Sequence, residues 1–233
     1  MIEVEQLGSV YVLHWHDDEN RLNRRSLDAL NQALDHVEKA TGPCALVTTG
    51  EGKYYSNGLD LDWVMEVGDQ ATGFVDEVHR LLGRLIRYPA ITVAAINGHA
   101  FGAGAMFATA HDFRVMREDR GYWCLPEADM ALPLTQAMVA VVTAKLPRET
   151  AHEAIMTGQR YDAVEAQMAG IVNLTASEDD LLADAIDLAT DFAEKNRGVV
   201  ARHKQLLYGD ALQIIDAPLP ARDVTPGTTS TAP

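Results

Sequence analysis

Three short stretches of the chain hold residue types that could act together on a carbonyl group. The first is Tyr55-Ser56-Asn57-Gly58-Leu59-Asp60-Leu61, where a glycine sits among small and polar residues just after the apolar run Cys44–Thr49. The second runs from Ala94 to His111 and reads A-A-I-N-G-H-A-F-G-A-G-A-M-F-A-T-A-H, leading from the apolar run Ile91–Ile96 into the turn Gly102-Ala103-Gly104. The third, L-P-E-A-D-M-A-L-P, sets Glu127 among apolar residues. A glycine turn that follows a buried strand frees backbone N–H groups. Two such turns from neighbouring strands could aim two donors at one oxygen, an oxyanion hole in which each donor is worth about 3 kcal/mol. Glu127 is the natural proton carrier beside it. Taken singly, each glycine turn reads more readily as a plain tight turn, because Gly-x-Gly alone is a weak signal. Glu127 alone reads as a solvated turn carboxylate.

The elements that must position these residues follow from periodicity. Ile2–Val4 and Val10–Val12 alternate around Gly8-Ser9 and predict a hairpin. Leu27, Leu30, Leu34 and Val37 predict a helix over 23–40, ended by Thr41-Gly42-Pro43. Buried strands are expected at 44–49, 91–96, 113–116 and 171–174, with a loop over 51–58. Helices are expected at 72–87, after the Gly102 turn, and at 135–146, 148–157, 163–169, 178–195 and 197–207. No internal repeat is visible. Strands mixed with helices in the first half, then helices, predict an α/β fold with a helical C-terminal part. The expected division is a core over 1–195, a helical extension over 196–217 and a disordered Pro/Thr/Ala-rich tail over 218–233.

The three stretches also resemble the crotonase (enoyl-CoA hydratase/isomerase) superfamily. Tyr55–Leu61 is similar to its F-S-A-G-A-D-L segment, Ala95–Gly104 to its A-x-x-G-x-A-x-G-G-G segment, and Pro126-Glu127 with Pro133 to its P-E-x-x-x-G-x-x-P segment. They occur in the family's order and spacing, and the resemblance covers about residues 2 to 210. It implies a ββα spiral core and an acyl-CoA thioester as substrate, with coenzyme A carried as part of the substrate and no separate cofactor or metal. It implies that the N–H groups of Leu59 and Ala103 form the anion hole, and that Ser56, Asn57, Gly58, Asp60 and Gly102 belong to the ligand-binding wall. Hydratases of the family carry a second glutamate in the pattern G-G-G-x-E; here that position is Met106, which cannot exchange a proton. Glu127 alone remains. Moving a double bond needs one base, which takes a proton from the α carbon and returns it to the γ carbon. The pattern therefore resembles Δ3,Δ2-enoyl-CoA isomerases of the plant peroxisomal branch, which Met116–Gly121, His99 and His111-Asp112 also fit. Leu125, Met130, Leu132 and Met106 are expected to raise the pKa of Glu127. A hydratase and a non-catalytic acyl-CoA binding protein are the alternatives. The resemblance further implies a homotrimer or a dimer of trimers.

Other residues carry weaker readings. Asp129, two positions beyond Glu127 on a segment taken as extended, could be a second acid. His111-Asp112 reads as a helix-end cap rather than a metal pair or dyad. Asp60 and Asp62 are expected to cap or open a short helix. Arg80, Arg84 and Arg87 form a basic stripe that reads as a solvated face, with a CoA phosphate contact the lesser reading, as for Lys53 and Lys204. Trp63, Met65 and Phe74 could line an acyl tunnel or sit in the core. The net charge of −15 excludes a nucleic-acid-binding face as the chain's main feature. No apolar run approaches the roughly 20 residues needed to cross a bilayer. Two cysteines, Cys44 and Cys124, form neither a disulfide framework nor a ligand cluster. Cytoplasmic location is the expectation.

Overall fold

The computed structural model describes residues 1–219; residues 220–233, most of the segment expected as a disordered tail, lie outside the described residues. The elements in chain order are β1 (Ile2–Leu7), β2 (Val10–Trp15), α1 (Arg24–Glu38), β3 (Ala45–Gly50), β4 (Tyr54–Ser56), α2 (Leu61–Glu66), α3 (Ala71–Ile86), β5 (Ile91–Ile96), β6 (His99–Phe101) and α4 (Ala103–Ala110). They continue with β7 (Phe113–Arg117), β8 (Trp123–Cys124), α5 (Gln136–Lys145), α6 (Arg148–Thr157), β9 (Arg160–Tyr161), α7 (Ala163–Met168), β10 (Leu174–Ala176), α8 (Leu181–Ala193) and α9 (Arg197–Ile215).

Two sheets organise them. The larger runs β1-β2-β3-β5-β7-β10 and is parallel apart from the β1–β2 hairpin; the smaller runs β4-β6-β8-β9, with only the β8–β9 pair antiparallel. The chain steps three times from a strand of the large sheet to its neighbour in the small one and then into a helix: β3–β4–α2, β5–β6–α4 and β7–β8–α5. This repeat has no echo in the sequence, since each unit needs only an apolar run, a turn and a helix, and no shared residue pattern.

Alternation along the strands divides the core in two. Val10, Val12, Ala45, Val47, Val93, Ala95 and Val115 face α8, which meets them with Leu181, Ala185, Ala189 and Ala193. Their neighbours Tyr11, Leu13, Leu46, Ala94 and Ile96 face the main core with α1, α3, α4 and α5. All eight residues of α4 are buried, so this helix, apolar all round, sits in the middle of the protein.

Most predicted elements are present, with these differences. The expected loop 51–58 contains β4, and His99–Phe101 forms β6; both are three-residue strands, too short to show a period of two. The last short strand lies at Leu174–Ala176 rather than 171–174. Gly170 adopts a positive φ, and the N–H groups of Ile171 and Val172 turn back to the carbonyl of Ala166, closing α7 instead of joining the sheet. The final helix runs past 207 to Ile215, through Gly209, because buried Leu212 and Ile215 hold its last turns against the body. The segment after Glu127 is not extended: Met130 N–H reaches Pro126 O (3.0 Å) and Leu132 N–H reaches Glu127 O (2.9 Å), folding it into turns.

Candidate active site

The two glycine turns meet in space. Gly58 has φ +79°, and a Cβ built there would lie 2.7 Å from Phe101 O and 3.1 Å from Ala103 N, so only glycine allows this approach. Gly104 packs as closely on the other side, where a Cβ would stand 2.7 Å from the Ser56 side chain. The parallel bridge between Leu22 and Leu59 is made by Leu22 N–H to Gly58 O (2.7 Å) and Asp60 N–H to Leu22 O (2.9 Å), so the N–H of Leu59 between them points away from Leu22. Ala103 opens α4, and its N–H has no carbonyl one turn back to bond.

A cavity of about 470 Å³ opens at this junction, and Gly58, Leu59, Gly102, Ala103 and Glu127 all line it. The carboxyl of Glu127 reaches over Gly102, where a Cβ would be 3.1 Å from Oε1. Its Oε2 is buried without a hydrogen-bond partner among the described residues. Burial raises its pKa to about 7, because no cation offsets the loss of water. Leu61 and Val64 of α2, Val75 of α3, Leu132 and Met138 form an apolar wall. Arg21, Asn57, Asp129 and Arg160 bring the charged and amide groups. Arg21 is tied to Glu19 (2.7 Å), which also accepts from Asn57 Nδ2 (2.8 Å). Arg160 lies 5.6 Å above the Phe101 ring. Among the described residues, no group of three or more His, Cys, Asp or Glu is placed to hold a metal ion.

Not every residue singled out in the sequence reaches the cavity. Ser56 is fully buried and donates to Asn20 O (2.6 Å). Asp60 caps α2, accepting from Trp63 N–H (3.3 Å), while Asp62 lies in that helix's first turn. Met106 is buried inside α4, and Leu125 is buried beside the site; the lining residues from the expected apolar neighbourhood are Met130 and Leu132. Phe74 is core, with Trp63 edge-on at 4.6 Å, and Met65 is exposed, so none of the three lines the cavity.

His111 is the C-cap of α4, its ring bonding a carbonyl in that helix's last turn, whereas Asp112 does not share the cap. His111 is fully buried between Thr48 Oγ1 (2.9 Å) and Phe107 O (2.8 Å), whereas Asp112 accepts from Thr92 N–H (2.8 Å) and from Lys204 Nζ (2.6 Å). That ion pair takes Lys204 out of reach of any phosphate. The arginine stripe is occupied as well: Arg84 pairs with Asp35 and Glu38, Arg87 with Asp216, and Arg80 lies 3.9 Å from Asp76. Sequence reasoning missed Leu61, Val64, Val75 and Met138. The spacing of three between Leu61 and Val64 was the available signal, but it spans too short a helix to identify a face. Arg160 and Thr135 enter the site only through tertiary folding.

Residues 5–212 match the enoyl-CoA hydratase/isomerase family. The chain is 31% identical over 230 residues to enoyl-CoA delta isomerase 3 of Arabidopsis thaliana, covering 93% of this chain and 95% of that one. It is 34% identical over 216 residues to a putative enoyl-CoA hydratase of Thermus thermophilus, covering 89% of this chain and 83% of the relative. Its fold superposes on the crystal structure of a probable enoyl-CoA hydratase from Mycobacterium tuberculosis with a TM-score of 0.88 at 26% identity, over 93% of this chain and 92% of that one. The crotonase-like fold, the meeting of the two glycine turns and these matches lead to one conclusion: the chain belongs to the enoyl-CoA hydratase/isomerase family.

Proposed function

We propose that the protein is an enoyl-CoA delta isomerase that converts a 3-enoyl-CoA to the 2-enoyl-CoA. The observation that carries this reading is the single buried carboxyl, Glu127, facing the cavity where the Leu59 and Ala103 turns meet, with methionine at the position of a second glutamate. In the proposed cycle the Glu127 carboxylate removes a proton from C2 of the substrate. The negative charge moves to the thioester oxygen, which accepts hydrogen bonds from the N–H groups of Leu59 and Ala103, with the N-terminal end of α4 behind them. The protonated Glu127 then delivers the same proton to C4, leaving the double bond at C2–C3 and the carboxylate restored. No water enters the reaction and no separate cofactor is required; coenzyme A arrives as part of the substrate. Asn57, Gly58 and Gly102 form the wall around the thioester in this reading, while Ser56 and Asp60 support it from behind.

Hydration is the second reading, favoured by Asp129 at the cavity wall. Asp129 is exposed, and isomerisation is the better match to a site with one buried acid. Supplying a 3-enoyl-CoA and following formation of the conjugated 2-enoyl product tests the proposal. Wild type turns over, and Glu127→Gln lowers the rate by about 10³-fold. Absence of turnover in wild type, intact turnover in the variant, or faster hydration of a 2-enoyl-CoA would each overturn it. Tight acyl-CoA binding without any turnover would instead identify a non-catalytic binder.

We further propose that the protein acts in the cytoplasm as a homotrimer or a dimer of trimers. Support for self-association comes from α9, whose Leu206 and Leu207 are 65% and 73% exposed, and from an open groove between α5 and α9 walled by Val139, Ala140, Ala211 and Ile214. Light scattering of the full chain and imaging of a tagged copy test these two points.

A further inference from the structure

The apolar wall of the cavity contains one hydroxyl, that of Thr135. Behind it lies His79 of α3, one turn after Val75, with Nε2 3.1 Å from Thr135 Oγ1. His79 is 1% exposed, and its Nδ1 has no hydrogen-bond partner among the described residues. Burial lowers its pKa to about 4, so the ring is neutral and carries one N–H.

Two arrangements of that proton are open. If it sits on Nδ1, a buried N–H donor is left orphaned, the rarer and costlier defect. If it sits on Nε2, the ring donates to Thr135 Oγ1 and leaves only an unfilled acceptor, the more tolerated state. The hydrogen-bond network therefore assigns the proton to Nε2. Thr135 Oγ1 also accepts from Met138 N–H (3.2 Å), as the N-cap of α5. With both lone pairs engaged by donors, the hydroxyl proton has no acceptor among these groups, and the face of Thr135 that is not packed against protein belongs to the cavity.

We infer that Thr135 is a specificity residue that donates a hydrogen bond to a neutral acceptor oxygen, an oxo group, carried on the acyl chain. A neutral single donor suits a carbonyl rather than a carboxylate, and one hydroxyl among the apolar side chains of that wall fixes which position along the chain it recognises. The inference rests on the acyl-CoA reading above and adds the class of acyl group.

The test is calorimetric binding of octanoyl-CoA and a positional series of oxo-octanoyl-CoAs, saturated so that no double bond can shift. One oxo isomer is expected to bind about tenfold tighter than octanoyl-CoA. Thr135→Val removes the preference, and Thr135→Ser, which keeps the hydroxyl and the cap, retains it. The ratio of two ligands is read on the same protein, so loss of the helix cap in the valine variant does not mimic the effect. Octanoyl-CoA binding with no favoured oxo isomer, or a preference that survives Thr135→Val, overturns this inference alone. Failure of every acyl-CoA to bind overturns the acyl-CoA reading and this inference with it.

Discussion

In the proposed reaction Glu127 carries most of the chemistry in one side chain. Its pKa near 7 makes the carboxylate the minority form below neutrality, so a reaction that needs it as a base should gain rate as pH rises. The kcat/KM profile is expected to show an acid limb with a midpoint close to 7, absent from the residual activity of Glu127→Gln. Stability should respond in the opposite sense. Because the folded pKa lies above the ordinary 4.5, the fold favours the protonated form, and that stabilisation is lost as pH rises through 7. Glu127→Gln should therefore be more stable than wild type at pH 8, by on the order of 1–3 kcal/mol, with the gap closing near pH 4.5. Thermal unfolding at the two pH values checks this. Gly102→Ala places a methyl group 3.1 Å from the carboxyl and forces alanine to φ +53°, so it should lower kcat by tenfold or more while the protein still folds. At this scale the family resemblance was informative: Glu127, Gly58 and Gly102, which read singly as a solvated carboxylate and plain turns, line one cavity. Ser56 and Asp60 sit in the same motif yet turn inward, because a motif does not say which side chains face a cavity. His111 caps α4, as its place at the helix end suggests, but it also bonds β3, and Asp112 bonds β5 and α9, partners that a local pattern does not show.

Elements carry the next level of the design. The entry into α4 works only if β4 and β6 lie side by side, and both strands are too short to be read from periodicity. What the sequence did show there was the run of small residues, Gly102 to Gly104, that permits the close approach. At the other end of the molecule, α9 is pinned by Lys204, whose ammonium reaches Asp112 (2.6 Å) and the carbonyls of Tyr88 (3.0 Å) and Ala90 (2.7 Å). Arg197 adds bonds to Pro89 O (3.0 Å), Glu38 O (3.0 Å) and Ala40 O. Lys204→Met removes the cation in direct contact with the largely buried Asp112 and should cost about 3 kcal/mol in urea unfolding. Adding Asp112→Asn should recover part of that loss. The helix extends eight residues beyond the expected end at 207 and passes through Gly209. Packing of Leu212 and Ile215 outweighs a helix penalty of about 1 kcal/mol for that glycine.

For the molecule as a whole, two buried neutral histidines set the acid limit. His79 and His111 have pKa values lowered by burial to about 4 and about 3, below the ordinary 6.5. Their stabilising effect is complete above 6.5 and is lost as pH falls towards those values. Between pH 7 and 5 the pair should lose about 4 kcal/mol against about 2 kcal/mol gained by Glu127, a net loss of about 2 kcal/mol that urea midpoints at the two pH values would reveal. The fold class was legible from the order of strands and helices, whereas the three-fold repetition of strand, strand and helix was not, since no residue pattern accompanies it. The meeting of Gly58 with Ala103 carries one further consequence. In the reading proposed here, two of the three groups that touch the reacting thioester are main-chain N–H groups, one of them in a residue that is already alanine. A conventional alanine scan would detect the glycines that let the turns approach and would pass over Leu59 and Ala103 themselves. Replacing their peptide bonds by esters, which deletes each N–H while keeping every side chain, is the perturbation that would reveal them.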